Sequence, residues 1–138
     1  MIILDTNVLS ELMRDVPNPA VLDWLDRQPA SSVWVSCISL MEIRFGLFRM
    51  PSGRRRERML EEFEAILREE IQERYAPFDA SAANQTATLM ALRNNKGRPM
   101  EYRDAMIAGT ALSTKAMLAT RNTSHFSDLS VPVVNPWQ

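Results

Sequence analysis

The chain is expected to fold as an α/β domain, with a central, mostly parallel sheet of about four to five short strands flanked by helices in three layers. Short apolar runs, Ile2-Ile3-Leu4, Val33-Trp34-Val35 and Ala116-Met117-Leu118-Ala119, break directly into polar residues, the pattern of strands buried on both faces. Helical periodicity fills the stretches between them, and such long crossovers join strands in parallel. With 138 residues, 46% hydrophobic and 24% charged, the composition suits one globular domain spanning 1–138.

Each element has a local reason. After the first strand, Asp5-Thr6-Asn7 leads into the amphipathic Val8-Leu9-Ser10-Glu11-Leu12. Pro17-Asn18-Pro19 is a turn whose second proline suits the first position of a helix from about Ala20 to Arg27, with Val21, Leu22, Trp24 and Leu25 inward. The second strand, Val33 to Ser36, is rich in β-formers. A helix is expected from Ser39 to about Met50, burying Leu40, Ile43, Leu47 and Phe48. A long charged helix follows from Arg54 to Arg74, with Met59, Phe63, Ile66, Leu67 and Ile71 on one face.

Tyr75-Ala76-Pro77-Phe78 is a short extended piece at a sheet edge, its proline being poorly tolerated in a central strand. Asp79 or Ser81 caps a helix from about Ala82 to Asn94. Asn94 to Pro99 is a loop, and Ala105 to Leu112 is a helix so rich in small apolar residues that deep burial follows. Val131 to Val134 is the last strand.

Ligands of parallel α/β sheets bind at the C-terminal strand ends. Asp5 follows the first strand, and Glu42 and Asp104 fall near helix starts packed on the same sheet. Each acid alone has a capping role. Asp5 can cap its helix, Ser39-Leu40-Met41-Glu42 matches a capping box, and Asp104 can cap the helix it precedes. Together, three carboxylates in one crevice repel unless a cation compensates. Oxygen donors favour a hard ion, Mg²⁺ or Mn²⁺. Zinc is disfavoured, because Cys37 and His125 are the only thiol and imidazole groups and lie far apart. Cys37 is expected as a small buried residue on the second strand and His125 in a loop. Glu61, Glu62, Glu64, Glu69, Glu70 and Glu73 form the solvated face of the long helix.

Other classes are excluded by composition. Four scattered glycines make no phosphate-cradling loop. One cysteine allows no internal disulfide and fits a reducing, cytoplasmic setting. No apolar run approaches a membrane span of roughly 20 residues, and no secretory signal is expected. A net charge of −1 leaves any polyanion to a local basic patch.

In order along the whole chain, Asp5-Thr6-Asn7-Val8-Leu9-Ser10, Met41-Glu42-Ile43, Arg103-Asp104-Ala105-Met106-Ile107-Ala108 and Thr120-Arg121-Asn122 through Asn135-Pro136-Trp137 resemble PIN-domain proteins, specifically the VapC/FitB group of toxin–antitoxin ribonucleases. The resemblance implies a Mg²⁺- or Mn²⁺-dependent endoribonuclease, a cognate antitoxin of the VapB/FitA kind and a homodimer. It makes Asp5, Glu42 and Asp104 the catalytic acids. Asp5 and Asp104 are then direct metal ligands, with Glu42 and Asn122 acting through water. Many relatives carry a further aspartate at the position of Asn122 or His125, and this chain has neither. That departure motivates the alternative of a catalytically silent binding module. Thr6 and Thr120 are expected to orient carboxylates or waters.

RNA contacts are expected from Arg121 first, then Arg98, Arg103 and Arg44, with Arg49 a further neighbour of the acids in sequence. Arg54-Arg55-Arg56 with Arg58 is either a solvated helix start or a phosphate contact. Met41, Phe45 and Met50 are core or a groove for an antitoxin peptide.

Overall fold

The computed structural model describes residues 1–138. Five strands, β1 (Ile2–Leu4), β2 (Val33–Ser36), β3 (Tyr75–Ala76), β4 (Met117–Ala119) and β5 (Val133–Val134), form one sheet in the order β3-β2-β1-β4-β5. Every pairing is parallel. Six helices surround it: α1 (Thr6–Leu12), α2 (Pro19–Asp26), α3 (Cys37–Phe48), α4 (Arg54–Ile66), α5 (Ala80–Asn95) and α6 (Tyr102–Thr114). No helix is long and apolar enough to cross a membrane.

Successive strand side chains point to opposite faces, which divides the core. Leu4, Val35 and Ala119 pack with Val8, Leu47, Phe63 and Leu67 on one face. Ile3 and Leu118 pack with Leu89, Ile107, Ala111 and Phe126 on the other. The chain steps outward from β1 to β2 and β3, then returns across the sheet to place β4 on the free side of β1. The reversal opens a crevice beyond the C-terminal ends of β1 and β4. Asp5 and Thr120 are the first residues past those ends.

Several boundaries differ from expectation, for identifiable reasons. Helix α3 begins at Cys37 and not at Ser39, because the Ser36 hydroxyl at the end of β2 accepts the Ser39 N–H at 3.1 Å and serves as the cap. Cys37 is therefore a half-buried helix residue, neither in the strand nor fully buried. Glu42 lies in the second turn, so the capping box does not form. Helix α6 starts at Tyr102 with Glu101 as its cap, accepting the N–H groups of Arg103 and Asp104 at 3.0 and 3.2 Å. Asp104 thus sits inside the first turn, not at the cap. The long helix stops short of Arg74: α4 ends at Ile66, a wider π-type turn covers Leu67–Ile71, and Gln72 and Glu73 adopt left-handed backbone. Phe48 is 57% exposed and Leu22 38% exposed, so neither belongs to the core. Asn18 caps α2 with Pro19 at its first turn, and Asp79 caps α5, both as their local sequences dictate.

Candidate active site

Asp5 is 4% exposed at the mouth of the crevice. Its Oδ1 accepts the Thr6 N–H at 2.8 Å, which makes it the cap of α1 as well. Its Oδ2 accepts the Thr120 hydroxyl at 2.7 Å and the Asn7 side-chain amide at 3.3 Å. Burial pushes this carboxyl above its ordinary range, against the hydrogen bonds of Thr120 and Thr6, and repulsion from Asp104 and Glu42 pushes it further. Asp5 is therefore the point where the fields of all three acids meet.

Glu42 is set by hydroxyl groups. Thr6 Oγ1 donates to Glu42 Oε1 at 2.9 Å and lies 2.8 Å from Ser39 Oγ, which in turn accepts from the Ser36 hydroxyl at 3.3 Å. Because Thr6 spends its one proton on Glu42, the Ser39 hydroxyl must donate to Thr6. The hydroxyls of Ser36, Ser39 and Thr6 thus point in one direction and end on the carboxylate. Arg103 Nη1 stands 3.6 Å from Glu42 Oε2, and Arg103 Nε donates to Glu101 Oε1 at 3.1 Å.

Asp104 enters from α6. Burial raises its pKa, repulsion from Glu101 adds to this, and His125 and Arg103 oppose it. His125 Nδ1 is 4.0 Å from Asp104 Oδ2, beyond hydrogen-bond reach. Around the opposite rim, the Thr120 hydroxyl also accepts the Asn122 N–H at 3.1 Å, while Asn7 Oδ1 accepts the Arg121 N–H at 3.2 Å. Asn122 itself is exposed. Asn7 and Ser36 carry structural roles at this site that were not expected of them, and Ser39, expected as a helix cap, is instead a link in the hydroxyl series. The signal for the two serines was a small polar residue within an apolar run, Val35-Ser36-Cys37 and Ile38-Ser39-Leu40.

The acids do not form a closed chelate: no group of three or more His, Cys, Asp or Glu side chains is gathered tightly enough to enclose an ion. The donor chemistry nevertheless fits a hard divalent ion. It is all oxygen, two carboxyls are pushed up by burial and like charge, and Arg103 is the only guanidinium paired with one of the three. Mg²⁺ commonly uses one or two carboxylates and retains several waters, so an open cluster suits it.

The arginines sort clearly. Arg121 is exposed beside the site, its guanidinium over the Trp137 ring at 5.1 Å. Arg103 reaches the acids. Arg98 is exposed in the turn after α5, with no ion pair or side-chain hydrogen bond to them. Arg44, expected beside the acids, instead pairs with Glu64 and lies over the Phe63 ring at 5.2 Å. Arg49 lies over Phe45, at 5.4 Å. A groove of about 700 Å³ opens from Thr6 and Glu42 towards Met13, Met50, Arg55 and Arg58, so part of the basic cluster lines a cavity continuous with the site. Met41 and Phe45 are exposed and do not belong to the core, whereas Met50 is partly buried against it.

The family model described as PIN domain matches residues 2–131. The chain is 40% identical over 138 residues to a VapC ribonuclease of Sinorhizobium fredii, covering 100% of this chain and 99% of that one. It is 34% identical over 137 residues to toxin FitB of Neisseria gonorrhoeae, covering 99% of each. The crystal structure of FitAcB from N. gonorrhoeae superposes with a TM-score of 0.91 at 35% identity, over 100% of this chain and 99% of that one.

Proposed function

The chain belongs to the PIN-domain family, and from that premise we propose that it is the toxin of a toxin–antitoxin pair, a divalent-metal-dependent endoribonuclease. The observation that carries the proposal is the buried Asp5 carboxyl, raised in pKa and repelled by both Glu42 and Asp104, at the switch point of a parallel sheet. Asp5 and Asp104 would hold Mg²⁺ or Mn²⁺, with Glu42 and Asn122 acting through water. Such an ion, when bound, acidifies water and offsets charge developing on a phosphodiester.

The chain's own residues supply the rest. Thr120 and Thr6 keep the Asp5 oxygens aimed into the crevice. The hydroxyl series through Thr6 fixes one Glu42 oxygen and leaves the other turned towards Arg103, where it would take a proton from water. Arg103 and Arg121 offer positive charge at the rim for phosphates, and Arg98 lies further out. The Trp137 ring beneath Arg121 gives that guanidinium a fixed seat. Likeness to FitB and VapC extends the proposal to a cognate antitoxin of the VapB/FitA kind and to a homodimer. Met41, Phe45 and Phe48, exposed at four- and three-residue steps along α3, supply an apolar helix face of the kind that protein partners cover.

The purified chain should cut RNA in the presence of Mg²⁺ or Mn²⁺, stop with EDTA, and stop with added antitoxin. Lack of Mn²⁺ binding at millimolar metal by calorimetry, together with intact RNA, would favour the silent-module alternative, which the asparagine at position 122 motivates. For substrate binding, Arg121→Ala should flatten the dependence of log affinity on log salt by about 0.7 for single-stranded RNA. Cleavage positions should stay the same. An unchanged slope would remove Arg121 from the phosphate contacts.

A further inference from the structure

We propose that Arg93 is a positioning residue for the acid site: from behind, on α5, it holds the Thr123–Phe126 turn and Asp128, and so sets the Asn122 N–H on the Thr120 hydroxyl and His125 beside Asp104. Arg93 is 4% exposed, and a guanidinium at that depth must find partners. It finds them all in one short segment 32 to 35 residues away. Its Nε donates to Asp128 Oδ2 at 2.6 Å, one Nη to Asp128 Oδ1 at 2.5 Å, and the same Nη to the His125 carbonyl at 2.5 Å. The first two form the two-pronged grip that only arginine offers to a carboxylate. The Asp128 carboxyl is held below its usual range chiefly by this hydrogen bond.

One turn earlier on the same face of α5, Leu89 packs in the apolar cluster that buries Phe126. The segment is therefore gripped at Phe126 by packing, and at His125 and Asp128 by the guanidinium. Its other side belongs to the site. His125 Nδ1 faces Asp104 at 4.0 Å, and the Asn122 N–H rests on the Thr120 hydroxyl that donates to Asp5. Asp128 is the only Asp or Glu after Asp104, and Arg93 holds both of its oxygens. This segment therefore offers the acid site no free carboxylate.

A purely structural ion pair would be replaceable. Apolar residues of similar volume often substitute for a buried pair with no loss of stability. The test uses Arg93→Lys and the double variant Arg93→Met/Asp128→Leu in the full chain. His125 is the only histidine, so its imidazole NMR signals are unambiguous. In EDTA, both variants should shift the His125 imidazole and Asn122 amide signals while Val8 and Ile43 methyl signals stay in place. With metal, the double variant should melt within a few degrees of wild type yet show kcat on RNA lowered about tenfold, with KM within twofold. Unchanged His125 and Asn122 signals, or full kcat in a stable double variant, would overturn the proposal. The activity arm rests on the ribonuclease reading. If wild type cuts no RNA, that reading falls, while the metal-free spectra still decide whether Arg93 positions the turn.

Discussion

Asp5→Asn is expected to abolish RNA cleavage and, at the same time, to raise the melting temperature of the metal-free protein at neutral pH. The two effects share one origin. Asp5 is 4% exposed, and its pKa is raised first by burial and further by Asp104 and Glu42. A group whose folded pKa lies above its unfolded value binds a proton more tightly when folded. Its stabilising contribution is full below the unfolded carboxylate range and is lost as pH rises through the folded pKa. Above that value the native state carries a poorly solvated charge, which asparagine removes. The gain of a few degrees in EDTA should shrink as pH falls into the carboxylate range. Divalent metal should raise the melting temperature of wild type by mass action and leave Asp5→Asn nearly unmoved. Cleavage should fall about a thousandfold, corresponding to several kcal/mol of charge stabilisation at the phosphate. Equal cleavage by the two proteins would remove Asp5 from the chemistry. A lower metal-free melting temperature for the variant would show that the hydrogen bonds from Thr120 and Thr6 outweigh burial and repulsion.

The same residue illustrates what is legible in the sequence. A run of three apolar residues that ends in Asp-Thr-Asn is enough to put a carboxylate at a strand end, and β1 does so. The alternation of strands and helices likewise leads to a mostly parallel sheet, and every observed pairing is parallel. Helix starts were harder, because Ser36 and Ser39 each satisfy the local capping rule, and at α6 the aspartate that the rule favours is passed over for Glu101, which takes the Arg103 and Asp104 N–H groups. The fold decides: Ser36 ends β2, and Ser39 is drawn inward to Thr6. Sequence proximity misled for Arg44. Two residues along a helix is a rotation of about 200°, so a neighbour of Glu42 faces away from it, here towards Glu64. The Arg93–Asp128 pair left no sequence signal at all, since its members are 35 residues apart and each is an ordinary charged residue in an ordinary context.

Gly109→Ala is expected to destabilise the domain by about 2 kcal/mol, although alanine is the better helix former. Gly109 lies mid-way along α6 where the helix presses on α5. A Cβ there would stand 1.9 Å from Thr86 Oγ1, 2.9 Å from Thr86 Cβ and 2.9 Å from the Ala82 carbonyl oxygen. Overpacking of a dense interior costs about 1–3 kcal/mol, and helix propensity returns at most about 1 kcal/mol. Rotating Thr86 cannot clear the contact, because its own Cβ and the Ala82 carbonyl, part of the α5 backbone, also lie in the way. The Thr86 hydroxyl is moreover spent on that carbonyl, at 2.7 Å. Thr86→Ala should therefore recover part of the loss in a Gly109→Ala background and never all of it, a non-additivity that urea midpoints will read directly. Because α6 carries Asp104 and α5 carries Arg93, pushing the two helices apart moves both relative to Asp5. Cleavage per folded molecule should fall in Gly109→Ala even where folding is complete. A variant as stable as wild type would mean that α5 yields at this contact, and the two helices would then be a poor frame for a site assembled across them.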